Sequence, residues 1–279
     1  MKNGIIRNWM SSPVKTISPD TRLFDARKMM DAEKIRALPV MKDGKLVGIV
    51  TRRGLLRTDI PALNENAWTT DVDLKDAVVE EIMTKNPITV PASGPLPKAA
   101  RVMLENKITA IPVVDDNRAM VGIITTSDIF RFILAELPDL KLDLRARDYM
   151  TSHVVTLGPD DSLLEAHRLM GAERIRALPV VEDGQLKGII TRTDLLSNDN
   201  SRFLSRNNQE ESLKVLTNSV SQIMITNVIT ITPETTLLDA ARLMLENKFH
   251  SLPVLDAEKK LVGILTESDL FRMVIQRFF

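Results

Sequence analysis

One stretch, written four times with small changes, constrains this chain more than anything else in it. Residues 174–195 read RIRALPVVEDGQLKGIITRTDL; the other copies are KIRALPVMKDGKLVGIVTRRGL (34–55), KITAIPVVDDNRAMVGIITTSDI (107–129) and KFHSLPVLDAEKKLVGILTESDL (248–270). Each reads as strand, tight turn, strand and the capped start of a helix. The landmarks around them keep their distances. Met10, Met83, Met150 and Met224 each stand 29 residues before a proline: Pro39, Pro112, Pro179 and Pro253. Each proline stands 9 or 10 residues before a glycine (Gly48, Gly122, Gly188, Gly263), and each glycine 3 before a threonine (Thr51, Thr125, Thr191, Thr266). Spacings held four times over identify an internal repeat.

The copies also pair. The first and third share IRALPV and a DG turn; the second and fourth share MLENK, a turn one residue longer, VGI and SD. A duplicated two-repeat ancestor accounts for this, with halves at roughly 1–138 and 139–279. The repeats are expected at 5–58, 78–137, 145–198 and 219–278.

Within one repeat the elements are legible. VKTI (14–17) alternates and is β-branched, a short strand. Asp20 or Thr21 then caps a helix with Leu23, Ala26, Met29 and Met30 on one face, running to about residue 34. The matching starts are Ser93 with Pro95, Asp161 or Ser162, and Thr235 or Thr236. Asp43-Gly44 between alternating runs predicts a two-residue type I′ hairpin. The last element is a helix after the threonine, as in SDIFRFILAEL (127–137) and SDLFRMVIQRF (268–278). The expected fold class is α/β (α+β), four repeats of strand–helix–strand–strand–helix. About 55 residues make a poor core alone, so the repeats should pair. Polar linkers are expected at 58–77, 138–146 and 197–218, with Trp68 docking onto a repeat.

Charge and composition remove several classes of function. The chain has 37 basic and 37 acidic residues and a formal net charge of +0. That offers no electrostatic case for a nucleic-acid backbone or an anionic membrane. Aromatic residues are 4%, too few for a single-strand stacking platform. The absence of cysteine excludes disulfides, cysteine-ligated zinc and thiol catalysis, and suits a reducing compartment. MKNGIIRNWM lacks an apolar core of signal-peptide length, and no apolar run reaches membrane-spanning length. A cytoplasmic protein is expected.

Chemistry concentrates at the end of the repeated stretch. Thr125-Thr126-Ser127-Asp128, Thr191-Arg192-Thr193-Asp194 and Thr266-Glu267-Ser268-Asp269 share one pattern. A threonine N-cap with an acid three residues on is a capping-box arrangement, which is a structural role. The same carboxylate can accept two hydrogen bonds from a vicinal diol, and nearby N–H groups suit a sugar or phosphate oxygen. The two readings coexist if threonine caps while aspartate points outward. The preceding glycine either makes room for a flat ring or packs tightly against a helix. Three residues before each proline stand Arg36, Thr109, Arg176 and His250. Three of these four donate strongly to anions, and arginine forks bind phosphate bidentately. Arg52 and Arg53 add charge near the first copy. No two histidines have metal-ligand spacing, and no phosphate loop or nucleophile elbow occurs. Met29, Met30, Met103, Met170 and Met244 read as core filler. Nothing resembles a paired acid and base.

Four units carrying h-P-V, h-x-G-[IL]-[IVL]-T and T-x-S/T-D resemble CBS domains, and two adjacent units resemble a Bateman module. The resemblance covers nearly the whole chain except its linkers. The four-repeat layout without a catalytic domain is similar to the gamma subunit of AMP-activated protein kinase and to stand-alone prokaryotic proteins. IIRNWMSSPVKTI is similar to the start of CBS proteins of the acetoin-utilisation type. The resemblance implies a regulatory module binding an adenosyl ligand: AMP, ADP, ATP, S-adenosylmethionine or a cyclic dinucleotide. It implies ribose contacts from Asp128, Asp194 and Asp269 beside Thr125, Thr191 and Thr266. Val14, Ile88, Val154 and Val228 would line the adenine, and Arg36, Arg176 and His250 would meet phosphates. The first repeat departs from the pattern, reading Thr51-Arg52-Arg53-Gly54 without the carboxylate. Two alternatives stay open for its site: it is empty, or Arg36, Arg52 and Arg53 reach the phosphates of a ligand anchored in repeat two, whose own phosphate position is the neutral Thr109.

Three functions from different classes follow. The leading expectation is a non-catalytic energy sensor that binds a small-molecule nucleotide and signals to a protein partner. No catalytic cofactor, nucleic acid or membrane is expected. The alternatives are a scaffold whose aspartates are only caps, and an enzyme acting on a nucleotide. Closure of the two modules within one chain and closure between two chains of a homodimer both stay open.

Overall fold

The computed structural model describes residues 4–52, 54–55, 77–136, 143–173, 175–197 and 216–278. Arg53, Trp68 and the central parts of the three expected linkers (58–76, 138–142, 198–215) lie outside the described residues.

The helix and hairpin of each repeat follow the expected order, but among the described residues the opening strand is a named element in repeat two alone. Repeat one holds α1 (Leu23–Ala32), β1 (Ala37–Lys42) and β2 (Lys45–Thr51). Repeat two holds α2 (Val79–Ile82), β3 (Thr84–Lys85), β4 (Val90–Pro91), α3 (Leu96–Asn106), β5 (Ala110–Val114), β6 (Met120–Thr125) and α4 (Thr126–Glu136). Repeat three holds α5 (Leu163–Ala172), β7 (Ala177–Glu182), β8 (Gln185–Thr191) and α6 (Arg192–Ser197). Repeat four holds α7 (Leu237–Asn247), β9 (Ser251–Leu255), β10 (Leu261–Thr266) and α8 (Glu267–Phe278).

The hairpins form as their turns dictate. Asp43 and Gly44 have φ of 49° and 74°, and Asp183 and Gly184 have 52° and 77°, so both central residues are left-handed as type I′ requires. In the longer turns, Asp115 Oδ1 accepts from Asn117 and Ala119 N–H at 2.9 Å each, and Asp256 Oδ1 from Lys260 N–H at 2.8 Å. The four hairpin pairs, β1–β2, β5–β6, β7–β8 and β9–β10, are all antiparallel.

The helix starts resolve the paired alternatives. Thr21, Asp161 and Thr235 each close a turn by accepting from the N–H three residues back, at 3.2, 2.7 and 3.0 Å. The next residue then takes the cap. Ser162 accepts from Glu165 N–H at 3.1 Å and Thr236 from Asp239 N–H at 3.1 Å. In repeat one that residue is Arg22, which has no side-chain cap and instead donates from Nε to Asp25 Oδ2 at 2.9 Å. The expected Asp20 or Thr21 cap is therefore corrected to Arg22, and the Ser93 start to Pro95. VKTI is not a full strand either. Of it, Ile17 alone makes a bridge, parallel to Val40.

The helices bury one face against the hairpins. Met30, Met103, Met170 and Met244 are 1%, 1%, 0% and 1% exposed, the same position in each repeat. They are core filler, as expected. Burying a side chain of this size stabilises by about 1.5–3 kcal/mol.

The chain divides into two compact units. One holds the first two repeats together with Phe271 onward; the other holds residues from Glu136 to Leu270. The expected halves differ in one respect, because the end of the chain belongs to the first unit.

Inside each unit the two repeats exchange their opening segments. Ile6 donates its N–H to Gly94 O at 2.9 Å, and Ser11 pairs with Ile123, so the start of repeat one lies on repeat two. Leu23 N–H donates to Ala77 O at 3.0 Å, and β3 pairs with β2, so the start of repeat two lies on repeat one. The second unit does the same through Thr151 with Ile264 and Ile225 with Ile189.

Candidate functional site

The exchanged arms explain two landmarks as one contact. A Cβ on Gly48 would collide with the Met83 sulfur, one on Gly122 with Met10, one on Gly188 with Met224 and one on Gly263 with Met150. The glycine therefore makes room neither for a flat ring nor for a helix. It makes room for the methionine that opens the partner repeat.

After that contact each arm crosses back to its own repeat. Ser11 is paired with Ile123 of repeat two, and Ile17 with Val40 of repeat one, so Val14 lies in the crossing. Val154 lies between Thr151 on Ile264 and Leu157 on Val180, and Val228 between Ile225 on Ile189 and Ile231 on Val254. Ile88 lies between β3 on repeat one and β4 on its own β5. All four residues expected to line an adenine occupy these crossings. Val14 packs with Ile49, Ala37, Ala110 and Ile123, two residues from each repeat. Ile88 is 43% exposed, and counted from its methionine it stands one place further on than the other three.

The hairpins bring the other expected groups together. Ala37 is the register partner of Thr51, Ala110 of Thr125, Ala177 of Thr191 and Ser251 of Thr266. One residue further out, the backbone of the anion position closes on the residue after the threonine. Arg52 N–H donates to Arg36 O at 2.8 Å, Thr126 to Thr109 at 3.1 Å, Arg192 to Arg176 at 2.9 Å and Glu267 to His250 at 3.1 Å. Anion position and T-x-S/T-D motif are thus neighbours at the open end of every hairpin.

The aspartates do not point outward as expected. Asp128 Oδ2 accepts from Thr125 N–H at 2.6 Å and from its hydroxyl at 2.8 Å. Asp194 Oδ2 does so from Thr191 at 2.8 and 2.6 Å, and Asp269 Oδ2 from Thr266 at 2.7 Å for both. The threonine gives its proton to the acid, and one carboxylate oxygen is spent on the helix start. The second oxygens differ. That of Asp128 is held by the Arg131 guanidinium, and the side chain is 1% exposed overall. Asp269 is 2% exposed. Asp194 is half-buried, with no further bond to its Oδ1 among the described residues. In repeat one, where the acid is missing, Thr51 Oγ1 accepts from Gly54 N–H at 3.1 Å, as Thr191 Oγ1 also does from Asp194 N–H at 3.4 Å.

The cations are not equivalent. Arg36 is exposed and Arg176 half-buried. Arg52 pairs with Asp31 at 3.2 Å. His250 Nδ1 stands 2.9 Å from Glu267 Oε1, and Arg176 of the paired repeat stands 3.8 Å from Glu267 Oε2. Spacing alone gives Glu267 no special place; its position directly after Thr266 is the one signal the sequence carries for it. A groove of about 430 Å³ in the first unit is lined by Asn8, Trp9, Met10, Ser11, Ser12, Pro13 and Arg131. Among the described residues no cluster of acids and histidines could hold a metal, and no helix is long and apolar enough to cross a membrane.

This architecture defines a class: tandem repeats of a helix and an antiparallel hairpin, interlocked two by two through exchanged arms. The family model of the CBS domain matches residues 6–60, 79–135, 146–200 and 220–276, so the chain belongs to the CBS-domain family. An uncharacterized Methanocaldococcus jannaschii protein, MJ1225, is 29% identical over 93% of this chain and 94% of its own. Its crystal structure, offered in its description as a proposed archaeal homolog of g-AMPK, superposes with a TM-score of 0.77 at 27% identity over 96% of this chain and 99% of that one. An uncharacterized conserved protein of Pyrococcus horikoshii gives 0.66 at 25% identity over 97% and 99%. The inosine-5'-monophosphate dehydrogenase of Thermoplasma acidophilum is 36% identical over 42% of this chain but only 21% of the enzyme.

Proposed function

We propose that the protein is a non-catalytic sensor that binds an adenosyl ligand, of the AMP, ADP, ATP or S-adenosylmethionine kind, between paired repeats. Occupancy is passed to a protein partner. One observation carries this reading: an arm crosses between the paired repeats in every repeat, Val14 of the first packing beside Ala37 and Ala110, and each hairpin end holds an anion position beside a threonine. In three of them a carboxylate is anchored by a single oxygen to that threonine. Such a site offers an apolar slot for a flat ring, an acceptor for a diol and donors for phosphate, within one opening. The likeness to a protein described as a proposed homolog of g-AMPK supports a regulatory role. A cytoplasmic setting fits the absence of cysteine.

Binding acts as a signal only through differential affinity for two arrangements of the repeats. Titration calorimetry with AMP, ADP, ATP and S-adenosylmethionine tests the reading. At least one should bind. Asp194→Ala should then weaken its site about ten- to a hundredfold, the worth of charge-assisted hydrogen bonds of about 1.5–3 kcal/mol. Binding by none of the four would sink the proposal. In repeat two both oxygens of Asp128 are already taken, by Thr125 and Arg131, so that carboxylate serves the helix start first. Asp128→Ala is therefore expected to lower stability more than affinity.

A further inference from the structure

Among the described residues, Glu267 puts a buried charge where the first unit has a neutral side chain at the matching position. It follows Thr266 as Thr126 follows Thr125, and both side chains are buried, Glu267 to 7% exposure and Thr126 to 8%. The glutamate carboxylate is set between the imidazole of His250 from its own repeat, at 2.9 Å, and the guanidinium of Arg176 from the paired repeat, at 3.8 Å. These are the two anion-position residues of the second unit. A buried carboxylate beside the Arg176 guanidinium and the His250 imidazole stands where a phosphate would stand, and offers the acceptor oxygens that a phosphate would bring to them. A phosphate entering this end of the cleft must evict Glu267 from its partners or lie beside it, and like charges at short range in a partly dry site repel strongly. A ligand that brings no negative charge meets neither obstacle. The first unit presents Thr126 instead, a neutral hydroxyl, with Arg36 and Thr109 at the anion positions.

We propose that Glu267 makes the second unit selective for an adenosyl ligand without phosphate, a nucleoside, its thioether or a sulfonium, while the first unit takes the phosphorylated form. The inference rests on the adenosyl reading above. Glu267 acts as a specificity residue: it positions Arg176 and His250 and repels phosphate. The two units would then sense the ratio of a nucleotide to its dephosphorylated relative.

The test is calorimetry of the full chain with adenosine and with AMP, on wild type, Glu267→Gln and Glu267→Thr, with folding checked by circular dichroism. Wild type should take up more equivalents of adenosine than of AMP. Both variants should gain an AMP site, or tighten one about tenfold or more, with the adenosine isotherm unchanged. The reverse exchange, Thr126→Glu, should weaken AMP at the first unit by a similar factor and leave adenosine alone; it keeps the proposal testable where the Glu267 variants fail to fold. An AMP isotherm that ignores all three substitutions, while adenosine still binds, overturns the role of Glu267 alone. An adenosine affinity that falls together with AMP overturns it too. Failure of both ligands to bind any form overturns the adenosyl reading as well.

Discussion

Replacing Gly122 by alanine would test the arm exchange at its tightest point. A Cβ at 122 would stand 2.9 Å from Met10 Cγ and 3.1 Å from Cε, and closer still to the sulfur. Every obstructing atom belongs to one flexible side chain. At Gly188 the obstruction is different: Met224 Sδ at 2.7 Å, but also the Ile225 carbonyl oxygen at 2.9 Å. That carbonyl accepts from Ile189 N–H at 3.0 Å, within the bridge that fastens arm four to repeat three. A side chain can rotate away; a bridged backbone cannot. Overpacking of this kind costs about 1–3 kcal/mol. Gly122→Ala should fall at the lower end. Gly188→Ala should cost about 3 kcal/mol, or roughly 10 °C in Tm for a cooperative unit of this size.

Calorimetric melting of each variant, combined with truncation of the facing methionine, separates the two cases. In the cycle of Gly122→Ala with Met10→Ala, the alanine at 122 should become nearly harmless, a coupling of about 1–2 kcal/mol. Met224→Ala should rescue Gly188→Ala only in part, because the carbonyl remains. Gly171→Ala is the control. Nothing lies within 4 Å of its added Cβ and it sits in α5, so it should stabilise by about 0.5 kcal/mol. If Met10→Ala and Gly122→Ala combine additively, the methionine is not what the glycine accommodates, and the account of the repeat spacing fails.

Two further outcomes follow from burial and from the arms. Half-buried His167 has its imidazole held below the ordinary value of 6.5, first by burial and then by the nearby Arg192 charge. The unfolded chain therefore takes up this proton first as pH falls through 6.5, and stability should decline below that point until the folded imidazole also protonates. His167→Gln should flatten that part of the stability–pH curve measured by urea unfolding; an unaltered slope would refute it. Deleting residues 1–11 removes Ile6, 0% exposed, and the Met10 contact from repeat two. At about 1.5–3 kcal/mol per large buried side chain, the protein should melt well below its normal temperature. An unchanged melting curve would show that the arm is not part of repeat two's core.

How much of this was readable in advance depended on the range of the cause. The Asp43-Gly44 turn was legible because its left-handed φ values are a local property of those two residues. The apolar faces of the helices were legible because a helix imposes its period on nearby positions. The cap was half-legible. Two adjacent polar residues compete at each start, and only the geometry of the preceding turn decides that Ser162 and Thr236 take the helix N–H. The candidate site was legible as a neighbourhood, since Arg36, Arg176, His250 and the three aspartates all fall at the hairpin ends. It was not legible as a set of orientations. Each aspartate turns an oxygen onto its own threonine rather than outward, a choice among hydrogen bonds that spacing cannot express.

By itself, then, the sequence determined the repeat, its hairpins, its helix faces and the family. All of these follow from short-range periodicity and turn chemistry copied four times. Tertiary structure alone decided which repeat each arm belongs to, why methionine and glycine keep step, and that Glu267 lies between Arg176 and His250. Those facts are contacts between residues far apart in the chain. A linear pattern can record that both members are present, but only the packed fold shows that they touch.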